Sequence, residues 1–188
     1  KQRVIDFCAL LHQEKINLPW WCPNGLRIET LDRNLIEKMY RAGCYSMTFG
    51  IESGSEKIQK DMNKNLDLQK TKEIIKIASD MGIRTQGFFI LGYPTETRED
   101  ILKTIKFSLE LPLKRASFSL FQPLVGTEIY ETLEEQGKLK SLDLNKCEYS
   151  KTSIIPQGLK SAKELKNLQR KAIFKFYIRP RILPRFIM

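Results

Sequence analysis

The chain has 188 residues, with 32 Lys and Arg against 22 Asp and Glu, one His, and a formal net charge of +10. At 41% hydrophobic and 29% charged it falls outside the disordered class, and no run approaches the ~18 apolar residues that cross a bilayer. The charge is uneven: residues 160–188 hold nine basic residues and Glu164, so +8 of the +10 belongs to the tail. The body is close to balanced, which removes most of the support for a nucleic-acid partner, and none is expected.

The opening KQRVIDFCALLHQEK carries charges throughout, unlike a signal peptide, and starts without Met inside a helical pattern. We therefore expect a piece of a larger, cytoplasmic protein. Residues 3–15 set Val4, Phe7, Cys8 and Leu11 at helical spacing. Ile16 to Trp21 reads as a short strand ending at Pro23. Asp32 caps a helix over about 32–42, with Leu35, Ile36, Met39 and Tyr40 on one face and Gly43 as its stop. Tyr45 to Ile51 is strand-like, and Ser53 with Glu56 has capping-box spacing for a short helix. A stronger helix over about 67–81 closes at Gly82. Arg84 to Leu91 (RTQGFFIL) is the clearest strand. Thr97 and Asp100 again have capping-box spacing, before a helix carrying Ile101, Ile105 and Leu109. Ala116 to Phe121 is a fourth strand, and a helix near 127–136 ends at Gly137.

Regular alternation of strands and helices implies an α/β fold with a parallel sheet and right-handed crossovers. Similar unit lengths favour an incomplete parallel (β/α) barrel of about four βα units, because about eight strands close the usual barrel. The division that follows is 1–137 for the barrel part, 138–160 for an irregular connector and 161–188 for a basic amphipathic helix and tail. That helix places Leu165, Leu168, Ala172 and Phe176 beside its Lys and Arg. Packing on its own barrel is the ordinary use of such a face, and weak membrane-surface contact through IRPRILPRFIM is the other reading.

Cys8, Cys22, Cys44 and Cys147 form no CxxC or CxxxC pair and read as reduced thiols. His12 sits in the first helix, which leaves no His-based catalysis. In parallel α/β folds, ligands bind at the carboxyl ends of strands. Those ends carry CPNG with Arg27, then GIESGS, GYPTET and QPLVGT. Glu52 reads either as an acceptor for ribose hydroxyls or an ammonium group, or as a charge stabilised by the next helix N-terminus. Ser53 and Ser55 read as caps, Glu96 and Thr97 as first-turn residues, and Gly92 and Gly126 as positive-φ positions. Arg27 suits a carboxylate or phosphate, or an ion pair with Glu29 or Asp32. Gln122 is placed to line a pocket at the end of the last strand.

Taken together, WWCPNGLRIETLD, AGCYSMTFGIESGSEKI, MGIRTQGFFILGYPTET and FQPLVGTEIYE resemble the radical S-adenosylmethionine (SAM) superfamily. The likeness covers about residues 19–131 and is nearest to the cobalamin-dependent subgroup that includes anaerobic magnesium-protoporphyrin monomethyl ester cyclase. It implies a six-stranded partial barrel, of which these would be the third to sixth strands. It also implies SAM and a [4Fe-4S] cluster as cofactors, with cobalamin in the whole protein, and cleavage of SAM to a 5′-deoxyadenosyl radical. By resemblance Glu52, with Ser53 beside it, meets SAM, the Gly92 region lies beside the adenosine, Gln122 lies near adenine, and Lys64 faces the SAM carboxylate. The family's CxxxCxxC loop, which would hold the cluster, does not occur in this sequence.

The expectation is therefore the second part of a radical SAM core, inactive alone, acting on a small molecule once joined to the missing N-terminal part. Its first strand would leave an apolar edge open to homo-oligomer formation. A non-redox barrel lyase and a non-catalytic interaction module using the basic tail are the alternatives.

Overall fold

The computed structural model describes residues 1–139, 154–180 and 182. Most of the 138–160 connector, Cys147 and the final LPRFIM segment therefore lie outside the described residues. The elements are α1 (Gln2–Gln13), β1 (Trp20–Leu26), a 3-10 turn (Ile28–Thr30), α2 (Arg33–Arg41), β2 (Cys44–Glu52), α3 (Glu56–Asp61) and α4 (Leu68–Asp80). They continue with β3 (Arg84–Leu91), α5 (Arg98–Glu110), β4 (Arg115–Leu120), α6 (Glu128–Glu135) and α7 (Ala162–Tyr177).

The four strands are all parallel and lie in chain order, β1-β2-β3-β4. Crossovers of one hand between successive neighbours place their helices on one face, as in a barrel and unlike a doubly wound sheet. The expected incomplete (β/α) barrel is what forms. Along β3, Thr85, Gly87, Phe89 and Leu91 are buried, while Gln86, Phe88 and Ile90 are half-buried on the opposite face. The helix-side core joins Met47, Phe49 and Ile51 of β2 to Phe89, Phe118 and the helices. Each such side chain, nearly or fully removed from water, stabilises the fold by about 1.5–3 kcal/mol.

Two local expectations need correction. β1 does not end at Pro23 but runs to Leu26, with an irregular register between Cys22 and Leu26. Pro23 lacks an N–H donor, and an edge strand that bulges there needs none. The capping box of Ser53 and Glu56 does not form. Ser55 is the N-cap of α3 and makes no side-chain cap bond, because its hydroxyl donates to Asp100 Oδ1 at 2.7 Å. The Thr97–Asp100 capping box does form at the start of α5.

α7 packs Leu165, Leu168, Ala172 and Phe176 into the same core as the sheet. It also blocks the outer edge of β4. Gln169 Nε2 donates to Phe118 O at 2.7 Å, and Tyr177 Oη donates to Ala116 O at 2.9 Å while accepting from Ala116 N.

Candidate functional site at the strand ends

β2 leaves the sheet at an irregularity between Gly50 and Glu52, and Glu52 adopts a left-handed backbone with φ of 64°. For a residue with a Cβ this conformation costs about 1–3 kcal/mol, so the surroundings must hold it. The result is that the carboxylate returns over the strand end. Glu52 Oε1 lies 3.2 Å from Lys64 Nζ, and both side chains are half-shielded from solvent. A Cβ on Gly50 would stand 3.0 Å from Glu52 Oε1 and 3.4 Å from Lys64 Nζ. Gly25 of the β1 bulge approaches so closely that its own Cβ would lie 3.0 Å from Gly50 Cα. Two glycines therefore make room under an ion pair at the carboxyl end of the sheet.

Lys64 is presented by the turn that ends α3, between Asn63 (φ 51°) and Asn65 (φ 48°), both left-handed. Asn tolerates that region better than most residues, which is why the sequence KDMNKNLD turns so sharply. Ser53 does not join the pair. It is fully buried, its hydroxyl 3.0 Å from Thr104 Oγ1 and accepting from Ser55 N, so it anchors the loop to α5.

Gly92 follows β3 with φ of 90°, and a Cβ there would meet Leu165 Cδ2 of α7 at 2.5 Å. Its N–H donates to Glu96 Oε2 at 2.5 Å, and Tyr93 N donates to the same oxygen at 3.2 Å. Glu96 is thus not a first-turn residue. It precedes Thr97, the N-cap, and is wholly buried, with Oε1 lacking a partner among the described residues. Burial pushes its carboxyl up to about 8 against the lowering effect of those two N–H groups, and Asp100 nearby raises it further. Gln122 is half-buried just beyond β4, whose loop is tied to the β3 end by Phe121 N donating to Leu91 O at 2.9 Å. A satellite core of Ile58, Tyr93, Phe121, Leu133 and Ile154 packs these strand-end loops together.

Arg27 is exposed and forms neither anticipated ion pair among the described residues; Asp32 instead pairs with Lys1. An open groove of about 1380 Å³ lies at the other end of the strands, lined by Trp21, Tyr45, Arg84, Lys114 and Arg115 among others. Its position at the strand starts sets it apart from the Glu52 cluster.

A family model described as the radical SAM superfamily matches residues 7–108. The chain belongs to the radical SAM superfamily. This radical SAM chain is 32% identical over 186 residues to an uncharacterized methyltransferase of Pyrococcus horikoshii, covering 97% of itself and 39% of that protein. It is 21% identical over 159 residues to the anaerobic magnesium-protoporphyrin IX monomethyl ester cyclase of Rubrivivax gelatinosus, covering 85% of itself and 28% of the cyclase. The radical SAM methyltransferase TsrM of Kitasatospora setae, solved with cobalamin and a [4Fe-4S] cluster bound, superposes with a TM-score of 0.69 at 14% identity. That match covers 95% of this chain and 40% of TsrM, and it speaks for the fold. The chain thus spans well under half the length of these proteins.

The superfamily uses SAM and a [4Fe-4S] cluster, and the two fit this chain unequally. Opposite charges over a glycine cradle suit a zwitterionic nucleoside. The cluster finds no home among the described residues, where no group of three His, Cys, Asp or Glu can hold a metal ion. Cys8, Cys22 and Cys44 come from α1, β1 and β2 as free thiols, and Cys44 Sγ donates to Ser46 O at 3.7 Å. The closeness of the two thiols lowers Cys22 and, together with burial, raises Cys44.

Proposed function

We propose that residues 1–137 are the SAM-binding second part of a radical SAM core, with the cluster ligands supplied by polypeptide outside this chain. The observation that carries the reading is the Glu52–Lys64 pair, 3.2 Å apart at the carboxyl end of β2. Glu52 offers an acceptor to the ribose hydroxyls or the ammonium group, and Lys64 offers a cation to the carboxylate. In this reading the backbone at Gly92 would lie beside the adenosine and Gln122 near the adenine; the left-handed turn at Gly92 and the half-buried place of Gln122 just beyond β4 support it. Ser53, beside Glu52, holds the loop to α5 through Thr104. When bound, SAM supplies the adenosyl group for radical chemistry that an iron–sulfur cluster initiates.

The parent protein, in this reading, is a cytoplasmic methyltransferase or oxidoreductase that also uses cobalamin and acts on a small molecule. Its relatives' names and the fold shared with TsrM support that reading. The chain alone is inactive. Anaerobic reconstitution with iron and sulfide followed by a strong reductant and SAM tests this. The expected outcome is no stable iron–sulfur absorbance and no 5′-deoxyadenosine; formation of both would overturn the proposal.

A further inference from the structure

Gln59 lies in the middle of α3 and is 1% exposed, although the residues on both sides of it in KDMNKN and SEKI are mostly charged or polar. Its side-chain amide makes two hydrogen bonds, donating to Ile51 O at 2.7 Å and to Ser53 O at 2.5 Å. Those are the carbonyls on either side of Glu52. Its main-chain carbonyl accepts from Lys64 N at 2.9 Å and from Asn65 N at 3.2 Å. The first of these bonds closes the turn that ends α3, in the manner of a Schellman motif. One residue therefore grips the backbone of both members of the ion pair.

We propose that Gln59 is the positioning residue that sets the Glu52–Lys64 pair for its ligand. Glu52 occupies a left-handed backbone that favours glycine, and nothing in its own side chain enforces it. The Gln59 amide holds Ile51 O, in the peptide before Glu52, and Ser53 O, in the peptide after Ser53, at a fixed separation and orientation, and so braces the tight turn that Ser53 N closes by donating to Ile51 O at 2.8 Å across Glu52. The same residue's carbonyl fixes where Lys64 leaves the helix. The 3.2 Å separation of carboxylate and ammonium is then a property of the scaffold and exists before a ligand arrives. Both donor hydrogens of the amide face carbonyls, so a carboxylate or an apolar side chain of the same size cannot do this.

The inference rests on the reading of Glu52 and Lys64 as the SAM-facing pair, and the experiment separates the two. In isotopically labelled chain, the one-bond Cα–Hα coupling of Glu52 reports the sign of its φ, and calorimetry reports SAM affinity. For Gln59→Leu we expect Glu52 to leave positive φ and the SAM Kd to rise about tenfold, while β3 and β4 keep their backbone shifts. Retention of positive φ, or a Kd within about twofold of the wild type, overturns the proposal. If Gln59→Leu does not fold, the Gln59→Leu/Glu52→Gly double variant decides, because glycine takes the left-handed backbone without a clamp. Recovery of folding supports the proposal and failure to recover overturns it. If the wild-type chain binds no SAM, the reading of the pair as SAM-facing fails, and the φ of Glu52 alone decides the role of Gln59.

Discussion

Glu96 shows how a residue acquires a property that its sequence neighbours do not announce. In GYPTET it reads as an acidic residue at a helix start, a favourable and ordinary place. Its burial depends on segments that lie far along the chain: Gly158 N donates to Glu96 O, and Leu165 closes over Gly92. With a folded pKa of about 8 against an ordinary 4.5, the native state keeps a proton that the unfolded chain has lost. Stability is therefore greatest below the unfolded value and is lost as pH rises toward about 8, at up to ~1.4 kcal/mol per pH unit. Urea midpoints measured across that range should fall with pH in the wild type and stay flatter in Glu96→Gln, which cannot ionise. Equal slopes would show that Glu96 is ionised in the native state. Glu52 is the opposite case. A carboxylate one step past an apolar strand was legible at once, and Lys64 followed from the family resemblance. Gln59 was not legible, because a polar residue inside a charged helix reads as solvent-facing until the helix is docked.

At the scale of elements, periodicity located β3 to the residue and α4, α6 and α7 to within a residue or two. It misplaced β1, because Pro23 ends a strand unless that strand is at an edge, and edges are decided by tertiary structure. The tail was legible as an amphipathic helix but not in its use of charge. Arg179 lays its guanidinium 3.8 Å from the Phe176 ring centroid and donates to Leu109 O, Leu111 O and Leu113 O around the end of α5. Leu109 O belongs to the negative end of the α5 dipole, Leu111 and Leu113 follow it in the extended segment that leaves the helix, and a planar fork of donors satisfies all three carbonyls at once. One of the tail's positive charges is thus committed to the fold, and Lys166, Arg170 and Lys171 remain exposed. Arg179→Ala should lower unfolding free energy by about 2–3 kcal/mol in urea titrations. Arg179→Lys should restore little of it, since a point charge reaches fewer carbonyls. A loss below about 0.5 kcal/mol would mean the clamp is not formed in solution.

At the scale of the whole molecule, the two sheet edges are treated differently. α7 covers the backbone of β4, whereas among the described residues no strand pairs with β1 on its outer side. β1 exposes Trp21, 58% accessible, and its register is irregular between Trp20 and Trp21 and again between Cys22 and Leu26, which leaves Trp21 and Cys22 as its one regular step. The chain should therefore associate through this edge, with light scattering showing a concentration-dependent mass that Trp21→Lys shifts toward monomer; a monomer at every concentration would contradict this. Everything proposed for the site depends on the other end of the sheet, where Glu52 and Lys64 stand together. Titration calorimetry of the chain with SAM tests that directly, comparing wild type with Glu52→Gln and Lys64→Met. The expected result is saturable binding that each substitution weakens about tenfold or more, roughly the worth of one charge-assisted contact. Absence of binding, or equal affinity in all three proteins, would contradict it.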